Sequence, residues 1–133
     1  MARIPPATGR VAPEAQAELD RQLAAHGRVT NMKRTLAHSP RALIALMEWY
    51  PLRDEVAAFL GERATTLFAH AVSTETECLI CSTFFRRILI DAGEDPDALR
   101  LDARETSLVE FGRALARDYR RMPDDAYRPV ECC

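Results

Sequence analysis

Two cysteines separated by two residues are the part of this sequence best suited to chemistry: Cys78-Leu79-Ile80-Cys81. On a helix, residues three apart share a face, so the two sulfurs could close a disulfide once the first turn adjusts. Near a helix start, free backbone N–H groups and the helix dipole stabilise a thiolate, the nucleophilic form of cysteine. Glu75 and Glu77 oppose this effect by adding negative charge. The pair predicts thiol–disulfide chemistry.

Two other roles for the cysteines stay open at this point. Cysteine is often buried as a small hydrophobic residue, so the pair could simply pack in a core. Zinc needs four ligands, and one Cys-x-x-Cys supplies two, so Cys132 and Cys133 would have to fold back to complete a site. No metal ion and no cofactor are expected.

The helix that carries the pair is predicted from signals at both of its ends. Thr74-x-x-Glu77 has the form of a capping box, in which two side chains bond each other's backbone N–H groups. The sequence therefore predicts a helix from Glu75 to Ala92, with Gly93 in the left-handed position that ends it. The cysteines would lie in its first two turns. Apolar residues further along the same face predict a core stripe with a semi-buried pocket at its head: Phe85, Ile88, Leu89 and Ala92.

The rest of the chain is also predicted to be helical, which gives an all-α fold of about six helices. No segment alternates with period two in β-branched residues, so no sheet is expected. The other predicted helices have apolar residues at helical spacing or clear start and stop signals. They cover Pro13 to Ala25 before Gly27; a stretch that starts at Ser39-Pro40 and is stopped by Pro51; Asp54 to Leu60; a helix after Gly61 with Ala64, Leu67, Phe68, Ala71 and Val72 on its core face; a short piece from Asp95-Pro96; and a last stripe of Leu108, Phe111, Leu115 and Tyr119 before Pro123.

Composition narrows the class of protein. A chain of 133 residues, 47% of them hydrophobic, is long enough to bury one ordinary core. The net charge of −2 and the scattered basic residues argue against a nucleic-acid partner. No leader and no long apolar stretch is visible, so a cytoplasmic protein without membrane contact is expected. Thiols are kept reduced in that compartment, which favours redox-active cysteines.

Three regions are expected along the chain: an extended arm at 1–12, a single helical domain at 13–122 and a flexible tail at 123–133. The tail carries Cys132 and Cys133, which could pass electrons to or from the Cys78–Cys81 pair. Apolar surface left over on a short helical chain also predicts a homo-oligomer.

Beyond these patterns, the sequence resembles the carboxymuconolactone decarboxylase and alkylhydroperoxidase D family over about residues 28 to 120. Three segments carry the resemblance: the run Arg28-Val29-Thr30-Asn31-Met32-Lys33-Arg34-Thr35-Leu36-Ala37-His38-Ser39-Pro40, the helix end His70-Ala71-Val72-Ser73, and Cys78-x-x-Cys81. The branch of this family that lacks the cysteines and acts on muconolactones stays open as well, although the Cys-x-x-Cys favours the hydroperoxidase branch.

The resemblance implies a helical homo-oligomer that reduces peroxides. It implies that Cys81 is the peroxidatic thiol and Cys78 the resolving thiol, and that an external dithiol reduces the disulfide they form. The family's Glu lies twelve residues before the first cysteine, which is Thr66 here, and its His lies four after the second, which is Phe85. Both proton-handling residues are therefore replaced in this chain.

A substitute for the missing base is His70, one turn beyond Thr66 on the same predicted helix face. The alternative for His70 is a satisfied or surface side chain, and His26 and His38 are assigned to local structure. The favoured function is a peroxidase or thiol–disulfide oxidoreductase acting on a peroxide or disulfide substrate. The alternative is a non-catalytic oligomeric helical module that has lost the proton relay.

Overall fold

The computed structural model describes residues 3–127, and this part of the chain contains helices and no β-strand. The predicted all-α class is confirmed. The helices are α1 (Pro13–His26), α2 (Asn31–Leu36), α3 (Pro40–Met47), α4 (Trp49–Leu60), α5 (Glu62–Glu75), α6 (Leu79–Asp91) and α7 (Ala103–Asp118), followed by short 3₁₀ turns at Tyr119–Arg121 and Asp124–Ala126. Over residues 3–127, none of these helices combines the length and apolar character needed to cross a bilayer.

The chain divides into two compact units, Met1–Arg53 and Asp54–Cys133, which we call the first and second units. The bounds predicted for the arm, the single domain and the tail stay predictions.

In the first unit, the predicted helix ends are set by local chemistry. Gly27 ends α1 in the left-handed conformation (φ 69°) and donates its N–H to the Leu23 carbonyl at 2.8 Å. Ser39 begins α3 by accepting the Ala42 N–H. These ends confirm the sequence prediction. The core of the unit is apolar, and its buried residues are Ala15, Leu19, Ala37, Leu43 and Met47.

A short helix that the sequence analysis missed, α2, carries the only lysine of the chain, Lys33. Lys33 is 7% exposed and its Nζ lies 2.5 Å from Gln22 Oε1 and 5.1 Å from the centre of the Tyr50 ring. Gln22 in turn donates to Glu18, which is 3% exposed. Burial lowers the pKa of Lys33, and the Glu18 carboxylate partly opposes this. The buried amine is therefore part of a satisfied polar network.

Pro51 was expected to stop a helix, and this prediction was wrong. It lies in the first turn of α4, which begins at Trp49, two residues after α3 ends at Met47. The first backbone bond here is from the Leu52 N–H to the Glu48 carbonyl, so the missing N–H of Pro51 costs no helical hydrogen bond. The expected short segment from Asp54 is part of this longer helix.

In the second unit, α5 packs against both α6 and α7. The four buried apolar residues of this core come from all three helices: Leu67, Ala71, Leu89 and Val109. The core face predicted for α5 is confirmed, with Phe68 and Val72 half-buried at its edge. The stripe predicted for α7 is only partly buried, since Leu115 and Tyr119 are 37% and 64% exposed. These two residues lie at the C-terminal end of α7 and beyond it.

Arg63 at the start of α5 fixes the connection between α6 and α7. It bonds both carboxylate oxygens of Glu94, at 2.8 and 2.7 Å, and also the Glu105 carboxylate and the Arg100 carbonyl. Glu105 accepts the Asp102 N–H, and Asp102 caps α7 in return. One guanidinium group therefore ties α5 to the connection and to the start of α7.

Asp95-Pro96 was expected to begin a helical piece, and the structure has a turn there instead. The Asp95 side chain accepts the Asp97 N–H at 3.0 Å, and its carbonyl accepts the Ala98 N–H at 3.0 Å. A short carboxylate that bonds the backbone two residues on stabilises a turn in competition with a helix.

Candidate redox site

Cys78 lies at the junction between α5 and α6 and belongs to both helix ends. Its N–H donates to the Ser73 carbonyl at 2.9 Å, while the Glu77 N–H donates to the Thr74 carbonyl at 3.1 Å. This pair of bonds is a Schellman motif, and Glu77 occupies its left-handed position with φ 53°. The Cys78 carbonyl then accepts the Ser82 N–H at 2.9 Å and opens α6. The cysteine is therefore held on both sides by helical hydrogen bonds.

This junction corrects the predicted capping box. Thr74 lies inside α5 and Glu77 lies beyond its end, so neither caps α6, which begins at Leu79 rather than at Glu75. Glu75, the last residue of α5, is engaged by a long-range ion pair, since Nε of Arg117 on α7 lies 2.6 Å from its carboxylate. A pattern within four residues contains no information about such a partner. The other end was predicted correctly, since Gly93 follows α6 with φ 83°.

The two thiols occupy different positions in the first turn of α6. Cys78 is the N-cap residue and is half-buried, whereas Cys81 is the third helical residue and is exposed. Both are free thiols. The pKa of Cys78 is lowered, first by its hydrogen bond with the Cys81 thiol and then by the backbone N–H groups of Cys81 and Ile80. The pKa of Cys81 is raised, first by the same thiol–thiol hydrogen bond and then by partial desolvation of its sulfur, although the residue as a whole is exposed.

The negative charge near the two thiols is smaller than the two glutamates in the sequence indicate. Glu75 was expected to oppose a thiolate, but Arg117 bonds both of its carboxylate oxygens, at 2.6 and 3.3 Å. The same contact lowers the pKa of Glu75. Because the guanidinium offsets this carboxylate, Glu77 is the remaining acidic side chain close in sequence to the pair.

Apolar side chains around the pair are open to solvent. Leu79 and Ile80, between the cysteines, are 78% and 74% exposed, and Phe84 is 55% exposed with its ring against Phe85. Leu89 is the buried residue of α6. The predicted core stripe is therefore only partly present. At its head Cys78 is half-buried and Cys81 is exposed, and the semi-buried pocket expected there stays a prediction.

His70 lies on α5 among charged side chains from the neighbouring elements. Its pKa is lowered by burial and by Arg86 of α6 and Arg113 of α7, and raised in part by Asp97. Arg86 is itself bound by Asp97 through two bonds of 2.7 and 2.5 Å. The groups that shift the pKa of the two thiols are each other and the backbone, so the role of His70 as their base stays a prediction.

Thr66 and Phe85 occupy the positions where the family has a Glu and a His, and neither is an exposed polar side chain. Thr66 is buried at 3% exposure, and Phe85 is half-buried. His38 has a structural partner, because its Nε2–H donates to the Pro5 carbonyl oxygen at 3.1 Å. Cys132 and Cys133 lie outside the described residues. Within residues 3–127, no three His, Cys, Asp or Glu side chains are grouped to hold a metal ion.

Comparisons with protein-family models, with curated proteins and with solved structures found no match to this chain. The geometry of the site and the resemblance carried by residues 28 to 120 are therefore the grounds on which a function is proposed.

Proposed function

We propose that the protein is a peroxidase or thiol–disulfide oxidoreductase that works by cycling Cys78 and Cys81 between two thiols and a disulfide. The observation that carries the proposal is the position of the pair: an N-cap cysteine and a cysteine three residues on, both free and both reached by solvent. This spacing suits an intramolecular disulfide, and a helix start suits a thiolate.

With a hydroperoxide as substrate, the reaction balances in two steps. One thiolate attacks the terminal oxygen, the O–O bond breaks, and an alcohol leaves with a proton while the sulfur becomes a sulfenic acid. The second sulfur then attacks the first, the S–S bond forms, and the hydroxyl leaves as water. An external dithiol returns the pair to the reduced state by thiol–disulfide exchange. The cycle needs no bound cofactor.

The remaining parts of the proposal rest on the resemblance and on the exposed surface of α6. The resemblance supports a helical bundle of the alkylhydroperoxidase D type, Cys81 as the attacking thiol and Cys78 as the resolving thiol. The cytoplasmic location is proposed from the sequence pattern alone. The exposed Leu79, Ile80 and Phe84 support self-association, since apolar side chains clustered on one surface favour burial in an interface. His70 is kept as a candidate base.

A second candidate is a non-catalytic oligomeric helical module. One observation favours it: Thr66 is buried and Phe85 is apolar at the positions where the resemblance expects proton-handling side chains. In that case the exposed face of α6 would serve assembly alone.

The deciding experiment measures disulfide formation in the reduced full chain after one equivalent of cumene hydroperoxide or of an aromatic disulfide. Trypsin cleavage after Arg63 and Arg86 releases both cysteines in one peptide, 64–86, separate from Cys132 and Cys133. The proposal expects this peptide to lose two hydrogens rapidly and regain them on treatment with dithiothreitol.

The controls separate catalysis from bystander oxidation. A Cys132→Ser/Cys133→Ser variant is expected to form the Cys78–Cys81 disulfide as the wild type does, whereas Cys81→Ser loses it. Two unchanged thiols in the wild type after an excess of either oxidant would remove the enzyme proposal and leave the helical module.

A further inference from the structure

We propose that Cys132 and Cys133 form a second redox centre, which reduces the Cys78–Cys81 disulfide from within the same chain. We call these two adjacent residues the vicinal pair. They would receive electrons from the external dithiol and pass them to the site on α6. The inference rests on the proposed function for the direction of electron flow and adds an internal donor to it.

The segment that leads to the vicinal pair starts beside the aromatic residues of the second unit. The Tyr127 ring packs edge-on against Phe111 of α7, with 5.7 Å between ring centres. Phe111 is in turn stacked on Phe68 of α5. Cys132 and Cys133 follow Tyr127 by five and six residues. The chain therefore approaches the vicinal pair from the middle of α5 and α7.

The redox site lies at the end towards which both of these helices run. At the start of α5, Arg63 binds Glu105 in the first turn of α7. At the end of α5, Glu75 accepts a bond of 2.6 Å from Nε of Arg117, in the last turn of α7. The two helices are therefore parallel. Cys78 follows Glu75 by three residues, so the site is one half-helix away from the aromatic stack.

The distance to the site is within reach of the segment. The seven residues from Phe68 to Glu75 cover about 10 Å along α5. Leu89 of α6 and Val109 of α7 belong to one buried cluster, so both helices lie on the same side of α5. With one helix spacing of about 10 Å sideways, the separation comes to about 14 Å. Five extended residues after Tyr127 span roughly 17 Å, before the lengths of the cysteine side chains are added.

The accessible sulfur of the site is that of Cys81. Cys81 is exposed, whereas Cys78 is half-buried at the end of α5. Access decides which sulfur of a disulfide is attacked. The vicinal pair is therefore expected to attack Cys81 and to release Cys78.

Adjacent cysteines are suited to pass electrons on. The Cα atoms of neighbouring residues are about 3.8 Å apart, whereas those of a relaxed disulfide are about 4.4 to 6.8 Å apart. A disulfide between Cys132 and Cys133 is therefore strained and is easily reduced. At equilibrium the oxidised state stays on Cys78 and Cys81, and the external dithiol drives the transfer by reducing the vicinal pair.

The transfer balances in two exchange steps. The Cys132 thiolate attacks the Cys81 sulfur, the Cys78–Cys81 bond breaks, and Cys78 leaves as a thiolate that takes up a proton. The Cys133 thiolate then attacks the Cys132 sulfur, which forms the vicinal disulfide and releases Cys81 as a thiol. Two electrons have then passed to the site, and the external dithiol reduces the vicinal disulfide by the same exchange.

The first test is a disulfide map of Cys78→Ser/Cys133→Ser, which keeps one sulfur at the site and one in the vicinal pair. After one equivalent of an aromatic disulfide, we expect a bond between Cys81 and Cys132. Trypsin would then release peptide 64–86 joined to peptide 122–133. The matched variant Cys81→Ser/Cys133→Ser offers only the half-buried sulfur and is expected to form its cross-link several times more slowly.

Dilution shows whether the bond forms within one chain. A short connection gives an effective concentration of about 1 mM, about a thousandfold above protein at about 1 µM. The rate of cross-linking is therefore expected to stay the same on tenfold dilution. A rate that falls tenfold would assign the contact to a second copy of the chain, and the absence of any cross-link would remove the contact; either result overturns the inference.

The second test measures electron transfer in the protein with the site intact. The wild type and Cys132→Ser/Cys133→Ser are each oxidised to the Cys78–Cys81 disulfide, and limiting dithiothreitol is added. Peptide 64–86 is expected to regain its two hydrogens several times more slowly in the variant. Equal rates would overturn the inference, whereas a wild type that never forms the Cys78–Cys81 disulfide would instead contradict the proposed function.

Discussion

Gly112 of α7 lies directly against the Phe68 ring of α5. A Cβ added to Gly112 would lie 3.0 Å from two carbons of that ring and 3.2 Å from Val72 Cγ2. The Phe68 ring is in turn stacked on Phe111, with 6.3 Å between ring centres, and Phe111 contacts the Tyr127 ring. The missing side chain allows the two helices of the second unit to approach closely where the aromatic residues pack.

Replacement of this glycine is therefore expected to destabilise the fold although alanine is the better helix former. Gly112→Ala gains about 1 kcal/mol in helix propensity but forces the Phe68 ring to move, and overpacking costs about 1 to 3 kcal/mol. We expect a net loss of about 1 kcal/mol in the free energy of unfolding, measured by urea denaturation.

The control for this prediction is the same substitution beside a smaller neighbour. In a Phe68→Leu background, Gly112→Ala is expected to be neutral or stabilising, since the ring that it would meet is gone. A gain in stability from Gly112→Ala in the wild type would show that the contact is not restrictive.

Glu77 is expected to be a site where glycine stabilises the protein. It has φ 53° at the end of α5, and the left-handed region costs a residue with a Cβ roughly 1 to 2 kcal/mol. Glycine removes this cost but gains freedom in the unfolded chain, so Glu77→Gly is expected to add about 0.5 to 1 kcal/mol. Thermal and urea unfolding of the reduced protein would measure it.

Thr74→Gly is the matched control, because Thr74 lies three residues earlier within α5. Glycine inside a helix is expected to destabilise by about 0.5 to 1 kcal/mol. Equal losses from the two substitutions would contradict the Schellman geometry at the junction.

His70 is expected to make the stability of the protein depend on pH. Its folded pKa is lower than the ordinary value of 6.5, so the unfolded chain binds the proton more readily. Stability is therefore expected to fall as the pH drops below 6.5 and to level off once the folded pKa is passed. The free energy of unfolding between about pH 5 and pH 7.5 measures this slope.

A neutral replacement supplies the control for this slope. His70→Gln keeps a polar side chain of similar size and removes the titration, so its stability is expected to change less over the same interval. An unchanged slope would assign the effect to other groups.

Local chemistry explains which parts of the fold could be predicted from the sequence. Gly27, Ser39 and Gly93 determine helix ends through their own backbone freedom or side-chain oxygen, and all three predictions are confirmed. The wrong predictions occur where a local signal is compatible with more than one structure. A proline after a short break begins a helix as readily as it ends one, as Pro51 does, and an aspartate before a proline can cap a turn, as Asp95 does.

Contacts between distant residues account for what the sequence could not supply at the site. The cysteine pair could be read from the sequence, whereas its place near the start of a helix was predicted from a capping box that the structure does not form. The exposure of Cys81, the pairing of Glu75 with Arg117 and the surroundings of His70 depend on how α5, α6 and α7 pack together. A run of apolar residues in the sequence also cannot show that Leu79 and Ile80 face solvent.

The double attachment of Cys78 gives the junction a thermodynamic meaning. Because its amide closes α5 and its carbonyl opens α6, any strain that an S–S bond places on Cys78 is shared by both helix ends. A thermodynamic cycle then links the reduction potential of the disulfide to the difference in unfolding free energy between the oxidised and the reduced protein. Each 1.4 kcal/mol by which oxidation weakens the fold, relative to the unfolded chain, raises the potential by about 30 mV. The stability of the two helix ends at Cys78 therefore contributes to the reduction potential of the Cys78–Cys81 pair.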